Sequence, residues 1–119
     1  MVERPDMGDA PLELLKGTLD ILILKTLSRG ALHGYGVSRW LRDVTGDAFQ
    51  VEEGALYPAL RRLEKRGLVE AEWGVTETGR EARFYRLTAA GEAELASGVR
   101  GWSRYAEAMG KVLESPAAG

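Results

Sequence analysis

The chain has no cysteine among its 119 residues. That excludes a disulfide framework and any thiol chemistry, and it fits a reducing cytoplasm. It has one histidine, His33, and no acidic cluster at ligand spacing, so a metal site would need ligands the sequence does not supply. His33 reads instead as a turn residue placed to cap a helix. Long apolar runs are missing as well. The longest, residues 21–24, is far too short to span a bilayer, and the first eleven residues hold nothing like the apolar core of a signal peptide. A cytoplasmic protein with no membrane partner is the expectation. Paired carboxylates, a nucleophile beside a base and a phosphate-cradling glycine loop are all absent, so neither a cofactor nor an enzymatic activity is expected. Nor is there an excess of positive charge: the net charge is −2, which argues against an indiscriminate nucleic-acid binder.

The charge is unevenly placed, however. Residues 61–86 carry seven basic and five acidic side chains, while the remainder carries nine basic and thirteen acidic. A locally basic element on an acidic body suits a sequence-specific DNA binder. Length and a 45% hydrophobic content suit one globular domain with one appended element.

Apolar periodicity divides the chain. Residues 1–11 read as a mobile arm. Residues 12 to about 29 predict a helix that is greasy on two sides, with Leu15, Leu19 and Leu22 on one and Leu14, Ile21, Leu24 and Leu27 spreading to the other. Such a helix needs two partners: its own domain, and a surface open to a second subunit. Gly30 ends it, and the turn His33-Gly34-Tyr35-Gly36 leads into a second helix over residues 37–44. Residues 52–66 predict a third. There Leu56, Leu60 and Leu63 form a core stripe, while Tyr57, Arg61 and Lys65 step by four along another face, joined by Arg62 and Arg66. Pro58 must fall early in this helix, and Gly67 stands where a C-terminal glycine is wanted.

The period then changes from helix to strand. Val69, Ala71 and Trp73 alternate with Glu70 and Glu72, as in a half-buried strand, and residues 82–87 predict a second strand. A hairpin directly after a basic, aromatic helix is a wing. Thr88 caps a last helix over residues 89–114, whose Leu95, Val99, Trp102, Ala106, Met109 and Leu113 are spaced four, three, four, three, four. That is a heptad seam on a helix about 39 Å long, too long for a domain of this size to cover. Its glycines, Gly98, Gly101 and Gly110, imply close helix contacts or ordering by a partner. The expected architecture is mainly α with a small β-hairpin: a winged helix-turn-helix over residues 12–88, a dimerisation helix over 89–114 and a flexible tail over 115–119.

Four blocks carry a resemblance: Lys16-Gly17-Thr18-Leu19-Asp20; His33-Gly34-Tyr35-Gly36; Gly54-Ala55-Leu56-Tyr57-Pro58-Ala59-Leu60 with Arg62-Leu63-Glu64; and Phe84-Tyr85-Arg86-Leu87-Thr88 with Ala90-Gly91. In this order they resemble the PadR family of bacterial transcriptional regulators, over residues 15–113. The single long C-terminal helix is similar to the family's short branch. The resemblance implies a homodimeric winged-helix repressor, whose last helix packs against the first helix of its partner and which binds double-stranded DNA at an inverted-repeat operator. It implies a DNA contact built from Tyr35, Gly54, Ala55, Tyr57, Pro58, Arg61, Arg62 and Lys65, with the two tyrosines bonding phosphate. Arg62 and Lys65 also fit a solvated surface. From the wing, Arg80 and Arg83 serve phosphate or the minor groove, or simply keep the wing soluble.

The resemblance also implies a small planar aromatic ligand between subunits, for which Trp102, mid-seam, is the candidate contact; filling the dimer core is its other reading. Departures from the family pattern are Glu52-Glu53, where a serine, asparagine or proline is usual, and Ala55, where a hydroxyl is usual. Two carboxylates suit a helix N-terminus but repel phosphate. They leave open a second function, a winged-helix dimer used for protein association with weak or no DNA binding.

Overall fold

The computed structural model of the chain describes residues 11–117. Nearly all of the expected N-terminal arm and the end of the tail lie outside the described residues. The order of elements is α1 (Thr18–Leu27), β1 (Leu32–His33), α2 (Gly34–Val44), α3 (Glu53–Lys65), β2 (Val69–Val75), β3 (Glu81–Leu87) and α4 (Ala89–Leu113). Three helices and a three-stranded antiparallel sheet in the order β1-β3-β2 form the body, and α4 extends from it. The core is where the stripes of α1, α2 and α3 meet the inner face of the sheet. Ile23, Leu24, Leu27, Val37, Leu41, Leu56, Leu60, Leu63, Val69 and Tyr85 are buried there.

The first helix is shorter than its apolar pattern suggests. It begins at Thr18, not at residue 12, because Gly17 takes a left-handed φ of 86° that a continuing helix cannot contain. Residues 12–15 approach it without regular structure, and residues 16–17 form a turn. Leu12 donates its N–H to the Ala48 carbonyl (2.8 Å), and Thr18 Oγ1 donates to the Leu15 carbonyl (2.6 Å). Leu14 and Leu15 are therefore not part of the helical stripe.

The turn before α2 holds a third strand that periodicity could not reveal, since two residues have no period. Leu32 pairs with Tyr85 and His33 with Phe84. His33 is also the N-cap of α2: its Nδ1 accepts the Gly36 N–H at 3.1 Å. Pro58 is the sixth residue of α3 and so lies beyond the first turn. Its missing N–H leaves the Gly54 carbonyl without a ladder partner, at an exposed residue where water can reach it. Gly67 ends α3 with a φ of 76°.

Thr88 joins this end of α3 to the start of α4. Its Oγ1 accepts from Gly91 N–H (3.0 Å) and donates to the Gly67 carbonyl (2.7 Å), while its N–H donates to Leu68 (3.1 Å). The first half of α4 then packs on its own chain. Leu95 lies against the core, and a Cβ at Gly98 would come within 2.9 Å of Ile21. So α4 itself covers part of the second greasy side of α1, and the N-terminal end of the seam is not bare. Beyond Gly98 the helix has no such cover. Val99, Trp102, Tyr105, Met109, Val112 and Leu113 are exposed, the last at 73%. No helix among the described residues is long and apolar enough to cross a membrane.

Candidate nucleic-acid interface

The α3 row Tyr57, Arg61, Lys65 is built as the spacing requires, with the leucine stripe inside and Arg61 and Lys65 exposed. Neither cation has an ion-pair partner among the described residues. Their sequence neighbours behave differently, because at 100° per residue they leave the helix on another side. Arg62 pairs with Asp20 of α1 (3.0 Å), and Arg66 pairs with Glu94 of α4 (3.4 Å). These two arginines tie α3 to its scaffold and do not extend the outward row.

Tyr57 is half-buried beside α2. A Cβ at Gly34 would fall 2.6 Å from its ring, so only glycine leaves room for the phenol there. Burial pushes the Tyr57 hydroxyl above its ordinary value of 10.0, and the Glu53 carboxylate and then Tyr85 push the same way. The phenol therefore stays protonated and remains a donor. Tyr35 projects from the first turn of α2, 56% exposed, its ring stacked over His33 with 6.4 Å between centroids. Its hydroxyl accepts from Arg39 at 3.4 Å. Tyr35 is thus exposed on α2, and on α3 the half-buried Tyr57 stands in one row with two exposed cations that have no ion-pair partner among the described residues. Gly54, Ala55 and Glu53 are exposed at the N-terminal end of α3, and Pro58 is half-buried in its second turn.

The wing is a seven-residue pair, β2 with β3, in register from Val69↔Leu87 to Val75↔Glu81. Its tip is closed by hydrogen bonds from Thr76 N–H to the Arg80 carbonyl (2.8 Å) and from Gly79 N–H to the Thr76 carbonyl (2.9 Å). Arg80 is exposed there with no ion-pair partner among the described residues. Arg83 is not at the tip's surface in the same sense. Its two terminal nitrogens donate to the two Glu64 carboxylate oxygens at 3.4 and 3.0 Å. Trp73, expected on the half-buried side of the strand, is 68% exposed. It shares a face with buried Val69 and Tyr85 but lies past the edge of the core, opposite Arg83. Alternation gives the face of a strand and not how far the core reaches along it.

Sequence reasoning did not find the roles of Asp20 and Glu64, which hold arginines from 42 and 19 residues away. It also missed Tyr105, whose ring lies 5.9 Å from that of Trp102 on the exposed side of α4. The 3-residue spacing of the two aromatics on a helix was the available signal.

Comparison with known proteins agrees with this geometry. The sequence profile of the transcriptional regulator PadR-like family matches residues 23–97. A transcriptional regulator of Mycobacterium tuberculosis is 36% identical over 84 residues, 70% of this chain and 74% of that one. The negative transcriptional regulator PadR of Bacillus subtilis is 29% identical over 77 residues, 65% of this chain and 42% of the relative. A solved PadR family regulator from Eggerthella lenta superposes with a TM-score of 0.72 at 33% identity, covering 84% of this chain and 85% of that one. The order of α3 and its hairpin, together with the sequence match, places this chain in the PadR-like family: it is a transcriptional regulator and not an enzyme.

Proposed function

We propose that the chain is a homodimeric repressor that binds an inverted-repeat operator through α3 and the wing. The observation that carries this reading is the sorting of cations on α3. Arg61 and Lys65 are exposed in a row with Tyr57 and have no ion-pair partner among the described residues, whereas Arg62 and Arg66 pair with Asp20 and Glu94. Phosphates accept from such groups, and an α-helix is an element that a major groove admits. The exposed apolar side of α4 from Val99 to Leu113 supports dimerisation, since a strip of this kind is rarely left in water. The name of the Bacillus subtilis relative supports repression in particular.

A planar aromatic ligand between the subunits would relieve repression. Support for this is the pair Trp102 and Tyr105, which presents two aromatic faces on the helix proposed to pack against its mate. A mobility shift with the DNA upstream of the chain's own gene tests the first claim. The wild type retards it and Arg61→Ala retards it much less. Equal retardation by both removes α3 from the interface. No retardation at any concentration favours the protein-association reading, to which exposed Glu52 and Glu53 at the start of α3 would then point.

A further inference from the structure

Beyond the DNA contacts themselves, we infer that Arg83 and Glu64 form a brace that sets the wing's position relative to α3, so that Arg83 is a positioning residue and not a phosphate ligand. The inference rests on the DNA-binding reading. Three observations carry it.

The first is the accounting of the guanidinium. One terminal nitrogen reaches Glu64 Oε1 at 3.4 Å and the other reaches Oε2 at 3.0 Å, a two-pronged pairing of planar groups. The remaining nitrogen, Nε, is buried without a partner, which leaves only the outward N–H groups of the two terminal nitrogens facing water, on a side chain 39% exposed. The second is the location. β1 pairs with β3 only at Tyr85 and Phe84. From Arg83 outward the sheet has two strands, and a two-stranded ribbon is marginal in water without something to pack on. The ion pair sits at that boundary. The third is anchorage at both ends. The Arg83 guanidinium lies 5.8 Å from the ring centroid of buried Tyr85, and Glu64 is the last residue but one of α3, beside buried Leu63. An ion pair fixed at both ends transmits the orientation of the recognition helix to the hairpin.

Glu64→Gln separates this role from phosphate binding by the sign of its effect. The substitution takes a negative charge away from the neighbourhood of DNA and leaves Arg83 free. If Arg83 were a phosphate ligand, binding to mixed-sequence duplex DNA would be unchanged or tighter. With the brace, binding weakens about threefold per subunit, the scale expected for a half-exposed ion pair. Arg83→Gln weakens it similarly, and the double variant Glu64→Gln/Arg83→Gln is no weaker than either alone. Amide hydrogen exchange of the free protein gives an independent reading. Residues 74–81 exchange faster in Glu64→Gln, while α4 is unchanged. Tighter or unchanged DNA binding by Glu64→Gln, with Arg83→Gln flattening the salt dependence by about one contact per subunit, overturns the inference. If the wild type binds no duplex DNA, the DNA reading fails by itself. The exchange measurement then decides the brace, and unaltered exchange at residues 74–81 ends it.

Discussion

Arg61 and Arg62 leave α3 one residue apart and about 100° apart, and their surroundings give them different work. Arg61 meets solvent, whereas Arg62 meets Asp20. In a salt titration of DNA binding, Arg61→Ala should reduce the slope of log affinity against log salt by about one contact per subunit. Arg62→Ala should leave the slope nearly unchanged. Its cost falls on folding stability, at most about 1 kcal/mol because the pair is partly screened by water. Equal slopes for wild type and Arg61→Ala would take Arg61 off the interface. Gly34 gives a second test at this scale. A methyl group there meets the Tyr57 ring, so Gly34→Ala should cost about 1–3 kcal/mol in denaturant unfolding, and Tyr57→Ala in the same background should recover part of it. Tyr57 also links stability to pH. Its hydroxyl is raised above 10.0 when folded and is ordinary when unfolded, so the unfolded chain loses this proton first. Stability from this group is intact below pH 10.0 and declines above it, a decline that Tyr57→Phe should lessen in thermal unfolding at alkaline pH.

The elements differ in how much of them could be read without a structure. α2, α3 and α4 carry their own evidence: a leucine stripe, a heptad and caps at His33 and Thr88, all written within a few residues of each other. β1 could not be read that way. It exists because Leu32 and His33 face Tyr85 and Phe84, 53 and 51 residues on. The start of α1 was missed for the opposite reason. Leu14 and Leu15 continue the apolar pattern, but a left-handed Gly17 and the bond from Leu12 to Ala48 take them off the helix. Among site residues, the outward row Tyr57, Arg61, Lys65 was legible because it repeats every four residues. The ion pairs of Arg62 and Arg83 were not, since their partners lie on other elements. Within α4 the two halves have different roles, the first packed on α1 and the second uncovered. Met109→Glu with Leu113→Glu should therefore yield monomers in sedimentation while leaving far-ultraviolet circular dichroism of the body intact. A wild type that sediments as a monomer at micromolar concentration would contradict the dimer. Trp102→Ala tests the ligand proposal on the same helix. Planar aromatics should quench wild-type fluorescence more than that of the variant, in which Trp40 and Trp73 still emit. Equal quenching would leave Trp102 as packing alone.

The described residues span 60 × 33 × 21 Å, with the body at one end and the uncovered part of α4 leading away from it. Two such chains joined along α4 about a two-fold axis would present two copies of α3 and two wings to one duplex. The spacing of the copies would then be fixed by the helix pair, and the proposed inducer would act by favouring a spacing that the operator does not match. Binding to DNA should be steeply salt-dependent, falling about three to five orders of magnitude between 50 and 200 mM salt for about eight neutralised phosphates. The most direct measurement is hydroxyl-radical footprinting of the DNA upstream of the chain's own gene. Two protected blocks related by dyad symmetry should appear, their centres about one or two helical turns apart. A single unrepeated block, or uniform protection with no preferred site, would contradict the proposal.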